Sequence, residues 1–150
     1  MDIEQFRDEL KRDEGVKYEI YLDHLGLPTC GIGHLITEWD NEYGQEVGTP
    51  VAEERVNELF EKDLATTVDE CKLIYNDFDD LPVKAQHIIA NMMFNMGRPR
   101  LSRFHNMKKA VDNRDWFEAA YEMTDSKWAK QVPNRAMRLV GEMQSVGEST

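Results

Sequence analysis

The sequence predicts an α+β fold, mainly helical, with one small antiparallel sheet near the N-terminus. Three patterns predict it. β-favouring residues alternate only around residues 16–32, on either side of the turn-forming run Asp23-His24-Leu25-Gly26. Helical spacing of apolar residues then holds without a break from about residue 49 to 75. A further segment from Pro82 is apolar nearly all round, and more helical stretches follow it. At 150 residues and 41% hydrophobic content, the chain suits one domain with a sizeable core.

In chain order, Asp2 can cap a helix whose residues Ile3, Phe6 and Leu10 share one face, and Gly15 ends it with Val16 packing back. Residues 16–22 and 27–32 read as the two strands of a hairpin. That hairpin puts Asp23 in the turn and Thr29 on the returning strand, both able to face Glu14. Residues 36–47 are polar and acidic, with Trp39, Tyr43 and Gly44, and read as a third short strand or an irregular loop. Thr49-Pro50 is a capping residue followed by proline at the first helical position, and Glu53 and Glu54 suit the positive helix end. Val56, Leu59, Phe60, Leu64, Val68 and Cys71 carry that helix to about Tyr75, long enough to bridge two lobes. Residues 76–81 form a turn cluster. Pro82 opens the buried central helix, which Gly97 ends, and Arg98-Pro99-Arg100 reads as a loop. Helices are expected at 101–111, 114–123 and 133–143, with residues 146–150 frayed.

Charge and cysteines narrow the class. The net charge is −11, concentrated in residues 1–97, which hold 22 acids against 8 bases; residues 98–138 hold 10 bases against 5 acids. No apolar run approaches a membrane span, and the N-terminal residues lack the pattern of a signal peptide. Cys30 and Cys71 are read as reduced thiols, and the four histidines show no metal-ligand spacing. Neither stable membrane association nor a nucleic-acid partner is expected.

The chemistry concentrates in residues 12–34. Glu14 lies at a helix C-terminus, where the dipole disfavours a carboxylate and favours the protonated acid. Asp23 follows nine residues later, in the turn of the hairpin. Two carboxyl groups in unlike settings are what glycoside hydrolysis requires: an acid for the leaving oxygen and a base for water. Taken alone, they are also what any helix end and turn carry.

The longer string is more specific. Glu14, Asp23 and Thr29, followed at once by Gly31-Ile32-Gly33-His34-Leu35, resemble the catalytic signature of the phage-type lysozymes, glycoside hydrolase family 24. Glu58-Leu59-Phe60-Glu61-Lys62-Asp63, Asn91-Met92-Met93-Phe94-Asn95-Met96-Gly97 and the run from Ser126 to Ala136 extend the likeness in the same order, over about residues 3–140. The resemblance implies a lysozyme-like single domain. Its sheet lobe is at about 16–47, and a helical lobe at about 76–145 includes the N-terminal helix; the long helix joins the lobes and the cleft lies between them. The family's larger members carry an extra helix near residues 36–47 that this chain is too short to keep whole.

The resemblance also implies a muramidase that cuts the β-1,4 bond between N-acetylmuramic acid and N-acetylglucosamine, without cofactor or metal. Glu14 would be the general acid, with Asp23 and Thr29 activating water for inversion. Leu35, Phe94 and Asn95 match positions lining the sugar cleft, though the pattern of residues leaves Phe94 equally readable as core. Met107 and Glu122 stand as departures at other cleft positions. Arg135 would pair with Glu14, and His34 with Asp63 as a structural tie. The implied setting is a monomeric phage endolysin, made in the host cytoplasm and released through a holin to the periplasmic wall. The rival readings are a lytic transglycosylase giving 1,6-anhydro products, a non-catalytic wall-binding module and a virion-borne lysozyme.

Overall fold

The computed structural model describes residues 1–149, which fall into two compact units: Ile3–Thr66, and the chain from Thr67 onward together with Met1–Asp2.

The first unit holds α1 (Ile3–Glu14), the strands β1 (Lys17–Leu22), β2 (Pro28–Gly31) and β3 (His34–Leu35), and the start of α2 (Glu53–Ile74). The strands form one antiparallel sheet in the order β1-β2-β3, with Tyr21 opposite Thr29, Leu22 opposite Pro28 and Thr29 opposite Leu35. Phe6 and Leu10 of α1 are fully buried, as the i, i+4 spacing requires, and each such burial contributes about 1.5–3 kcal/mol. Arg7 of α1 forks onto Glu61 of α2 through two bonds of 2.8 and 2.9 Å. Lys11 stands 6.0 Å above the Phe60 ring. With these contacts α1 groups with the sheet in the unit Ile3–Thr66.

Residues 36–47 are an irregular loop, one of the two expectations, built largely of turns, and the third strand is the short pair His34–Leu35 ahead of it. One local expectation in this unit gives way to tertiary pairing. The Thr49-Pro50 signal does not start α2, which begins at Glu53. Instead Thr49 accepts Ile20 N–H, Pro50 bridges Glu19, and Val51 N–H donates to Tyr18, so β1 takes this backbone before the helix can.

The second unit contains the rest of α2, a 3₁₀ turn (Phe78–Asp80), α3 (Val83–Met96), α4 (Arg98–Leu101), α5 (His105–Asp112), α6 (Trp116–Thr124), α7 (Lys127–Gln131) and α8 (Pro133–Ser149). Every residue of α3 from Ala85 through Met93 is buried, as an all-round apolar helix predicts. Arg98-Pro99-Arg100 is not a loop but the body of α4, since proline fits a first helical turn. The chain end is not frayed through Ser149: α8 continues because Val146, 3% exposed, still has a core to enter. Thr150 lies outside the described residues. Cys30 and Cys71 are free and buried, one in each unit.

Candidate active site

Glu14 is the last residue of α1. Gly15, at φ +71°, donates its N–H to Lys11 O at 2.9 Å, a left-handed stop that suits glycine. The Glu14 carboxyl then lies against Gly33: a Cβ added there would come within 2.6 Å of Glu14 Oε1. Only glycine leaves that room.

Asp23 and Thr29 are held by one residue between them. Leu27 N–H donates to Asp23 Oδ1 at 2.9 Å, while Leu27 C=O accepts Asp23 N–H at 3.0 Å and the Thr29 hydroxyl at 2.9 Å. Leu25 N–H adds a second bond to the same Oδ1 at 2.9 Å. This is the Asx-type turn chemistry that the Asp23-His24-Leu25-Gly26 run predicts. Both bonds fall on Oδ1 and leave Oδ2 uncommitted among the described residues. Thr29, 3% exposed, spends its hydroxyl hydrogen on Leu27, so its oxygen remains as an acceptor.

Tyr21 is the residue that sequence reasoning missed. It sits opposite Thr29 in the sheet, with the Lys17 ammonium 4.3 Å over its ring. Burial raises the Tyr21 pKa, and the charges of Glu14, Cys30 and Asp23 raise it further, which puts the phenol in the field of both carboxyl groups. Its strand position two residues before Asp23, on the same face, was the available signal.

His34 is gripped at both ring nitrogens. Nδ1 lies 2.6 Å from Asp63 Oδ2 on α2, and Nε2 lies 2.8 Å from Asp40 Oδ2 in the turn segment. Burial pushes the His34 pKa down, but the bonds and charges of Asp63 and Asp40 outweigh it and leave it raised. The His34–Asp63 pair is present as the resemblance implied; Asp40, the second carboxylate, was not foreseen. Leu35, opposite Thr29 in β3, is 47% exposed.

The remaining candidates belong to the helical unit. Phe94 and Asn95 are only partly buried, between buried Met93 and Met96, so Phe94 is not a core residue. Asn95 Oδ1 accepts the Trp128 indole N–H at 2.7 Å, which turns the amide NH₂ the other way. Trp128 is 2% exposed and packs as expected. Arg135, partly buried on α8, donates from Nε to Asn91 Oδ1 at 2.8 Å. Met107 is corrected from cleft to core, at 1% exposed, because α5 turns it inward with Ala110 and Val111.

Within the sheet unit the geometry thus assembles a carboxyl group against a glycine, and a carboxylate and hydroxyl acceptor pinned to one peptide. Such a set can donate a proton at one point and hold water at another.

Comparison with known proteins points to one family. The family profile described as phage lysozyme matches residues 11–141. Two proteins of Dictyostelium discoideum, probable T4-type lysozymes 1 and 2, are 34% and 32% identical to this chain, the alignments covering 92% of each sequence. The pre-baseplate central spike protein Gp5 of Enterobacteria phage T4 is 32% identical over 92% of this chain, which spans 28% of that longer protein.

Proposed function

The chain belongs to the phage lysozyme family and is a lysozyme-type peptidoglycan hydrolase; from that premise we propose that it cleaves the β-1,4 bond between N-acetylmuramic acid and N-acetylglucosamine with inversion. The observation that carries the mechanism is the pinning of Asp23 and Thr29 to Leu27. Glu14 gives its proton to the leaving glycosidic oxygen as that oxygen's bond to C1 breaks. A water donates one hydrogen to Asp23 Oδ2 and the other to Thr29 Oγ1, which aims its lone pair at C1 from the opposite face. Asp23 takes the proton that water loses, and exchange with solvent restores both carboxyl groups. Leu35, Phe94 and the Asn95 amide are the sugar-contacting residues of this reading, as the family likeness implies.

The experiment is a digest of purified peptidoglycan, with products weighed and the first-formed anomer read by NMR, and Glu14→Gln run beside it. Reducing muropeptides that appear first as the α-anomer are expected, with the rate down about 10²–10⁴-fold in Glu14→Gln, the usual worth of a general acid. Products one water lighter, with 1,6-anhydro ends, would overturn the water-activating roles of Asp23 and Thr29. The proposed biological setting is that of a monomeric endolysin released through a holin; expression in a host should lyse cells only when a holin is co-expressed.

A further inference from the structure

Trp39 is 85% exposed and Tyr43 62%, and neither takes part in the chemistry above. Both ride on the turn segment that follows β3, where Asp40 N–H donates to Thr37 O and Tyr43 N–H to Asp40 O. The segment is stapled at both of its inner acids. Asp40, its side chain 6% exposed, receives Thr37 N–H at 2.8 Å and lies 2.8 Å from His34 Nε2. Glu42 receives two parallel bonds of 3.0 Å from Arg55 of α2. Gly48 and Thr49 then bond back to Ile20 of β1. Two large aromatic rings are therefore held out to solvent on a backbone that is already ordered, so gripping a ligand costs little entropy.

The charges around the rings select the ligand. Residues 36–48 contain four acids, Glu38, Asp40, Glu42 and Glu46, and no lysine or arginine. An anionic lipid surface or a nucleic acid would be repelled by Glu38 and Glu46, which carry no cation partner among the described residues. A pyranose offers an uncharged face of C–H bonds that packs flat on an aromatic ring while its hydroxyls stay wet. The segment also continues directly from Leu35, which is paired with Thr29, so the rings belong to the same compact unit as Asp23 and Thr29.

We propose that Trp39 and Tyr43 form an accessory saccharide-binding surface that holds a peptidoglycan glycan strand beyond the bond being cut. The proposal rests on the lysozyme reading given above.

The test uses the fluorescence of Trp39. The other two tryptophans, Trp116 and Trp128, are 4% and 2% exposed, so acrylamide quenching reports mainly on Trp39. Uncharged oligomers of β-1,4-linked N-acetylglucosamine, added to the Glu14→Gln protein, should shift emission to the blue and cut quenching at least about threefold, with little change as salt rises from about 50 to about 300 mM. In the same background, Trp39→Ala with Tyr43→Ala should weaken co-sedimentation with purified wall about five- to tenfold, while circular dichroism and Tm stay as in the parent. Unchanged quenching in the presence of glycan would overturn the proposal, and so would protection by anionic phospholipid vesicles instead. If wild type still releases muropeptides in either case, the lysozyme reading survives the failure; if it releases none, that reading has failed as well.

Discussion

At the residue scale, the site depends on small steric permissions. Gly33 is the clearest: its φ of +62° and its closeness to Glu14 both exclude a side chain. Gly33→Ala should lower stability by about 1 kcal/mol from backbone strain. It should also cut lytic rate at least tenfold by pushing the carboxyl aside; thermal melts and peptidoglycan clearance check the two effects, and a rate within twofold of wild type would refute the second. Nothing in the string Gly31-Ile32-Gly33 announces that contact, because the partner is nineteen positions upstream. The cysteines behave oppositely, as local burial predicts. Burial pushes Cys30 up to about 11, with help from Glu42, and Cys71 up to about 12, so both thiols should resist a disulfide-exchange reagent at neutral pH until the protein unfolds.

At the element scale, His34 ties β3 to α2 through Asp63 and to the turn segment through Asp40. Its raised folded pKa means that this stabilisation is complete below the unfolded value, near 6.5, and is lost as pH rises through the folded value. His87 on α3 works with the opposite sign. Burial lowers its pKa, and its Nε2 accepts Asp2 N–H at 3.2 Å, so its contribution is complete above the unfolded value and is lost as pH falls through the folded one. The two are separated by comparison: the Tm of wild type should fall toward that of His34→Asn between about pH 6 and pH 9, the difference shrinking as His34 loses its proton. A difference independent of pH would show that the charge on His34 is irrelevant. The helices themselves were readable from spacing, as α3 shows. The start of α2 was not, because Thr49-Pro50 is a sound local signal that β1 outcompetes through long-range bonds.

At the scale of the whole molecule, the charge pattern bears on rate. Residues 1–97 carry the acidic excess and residues 98–138 the basic one, while the wall polymer is anionic. Added salt or divalent cations should first increase clearance of purified wall by screening repulsion, before higher ionic strength weakens attraction to the basic third. A rate that falls monotonically from the lowest ionic strength would refute this.

The sequence by itself determined the fold class and the order of the elements, and it singled out Glu14, Asp23 and Thr29 as the candidates. Periodicity, turn chemistry and a motif compressed into a few dozen residues are all local, and a local signal survives without coordinates. The tertiary structure decided what those residues touch: Gly33 against Glu14, Tyr21 opposite Thr29, Asp40 as a second carboxylate on His34, and α1 grouped with the sheet. It also moved Met107 into the core and held Trp39 and Tyr43 out of it. Each of these depends on which surfaces meet across long stretches of chain. Spacing along the chain carries no record of that, because a side chain's burial is settled by its neighbours in space.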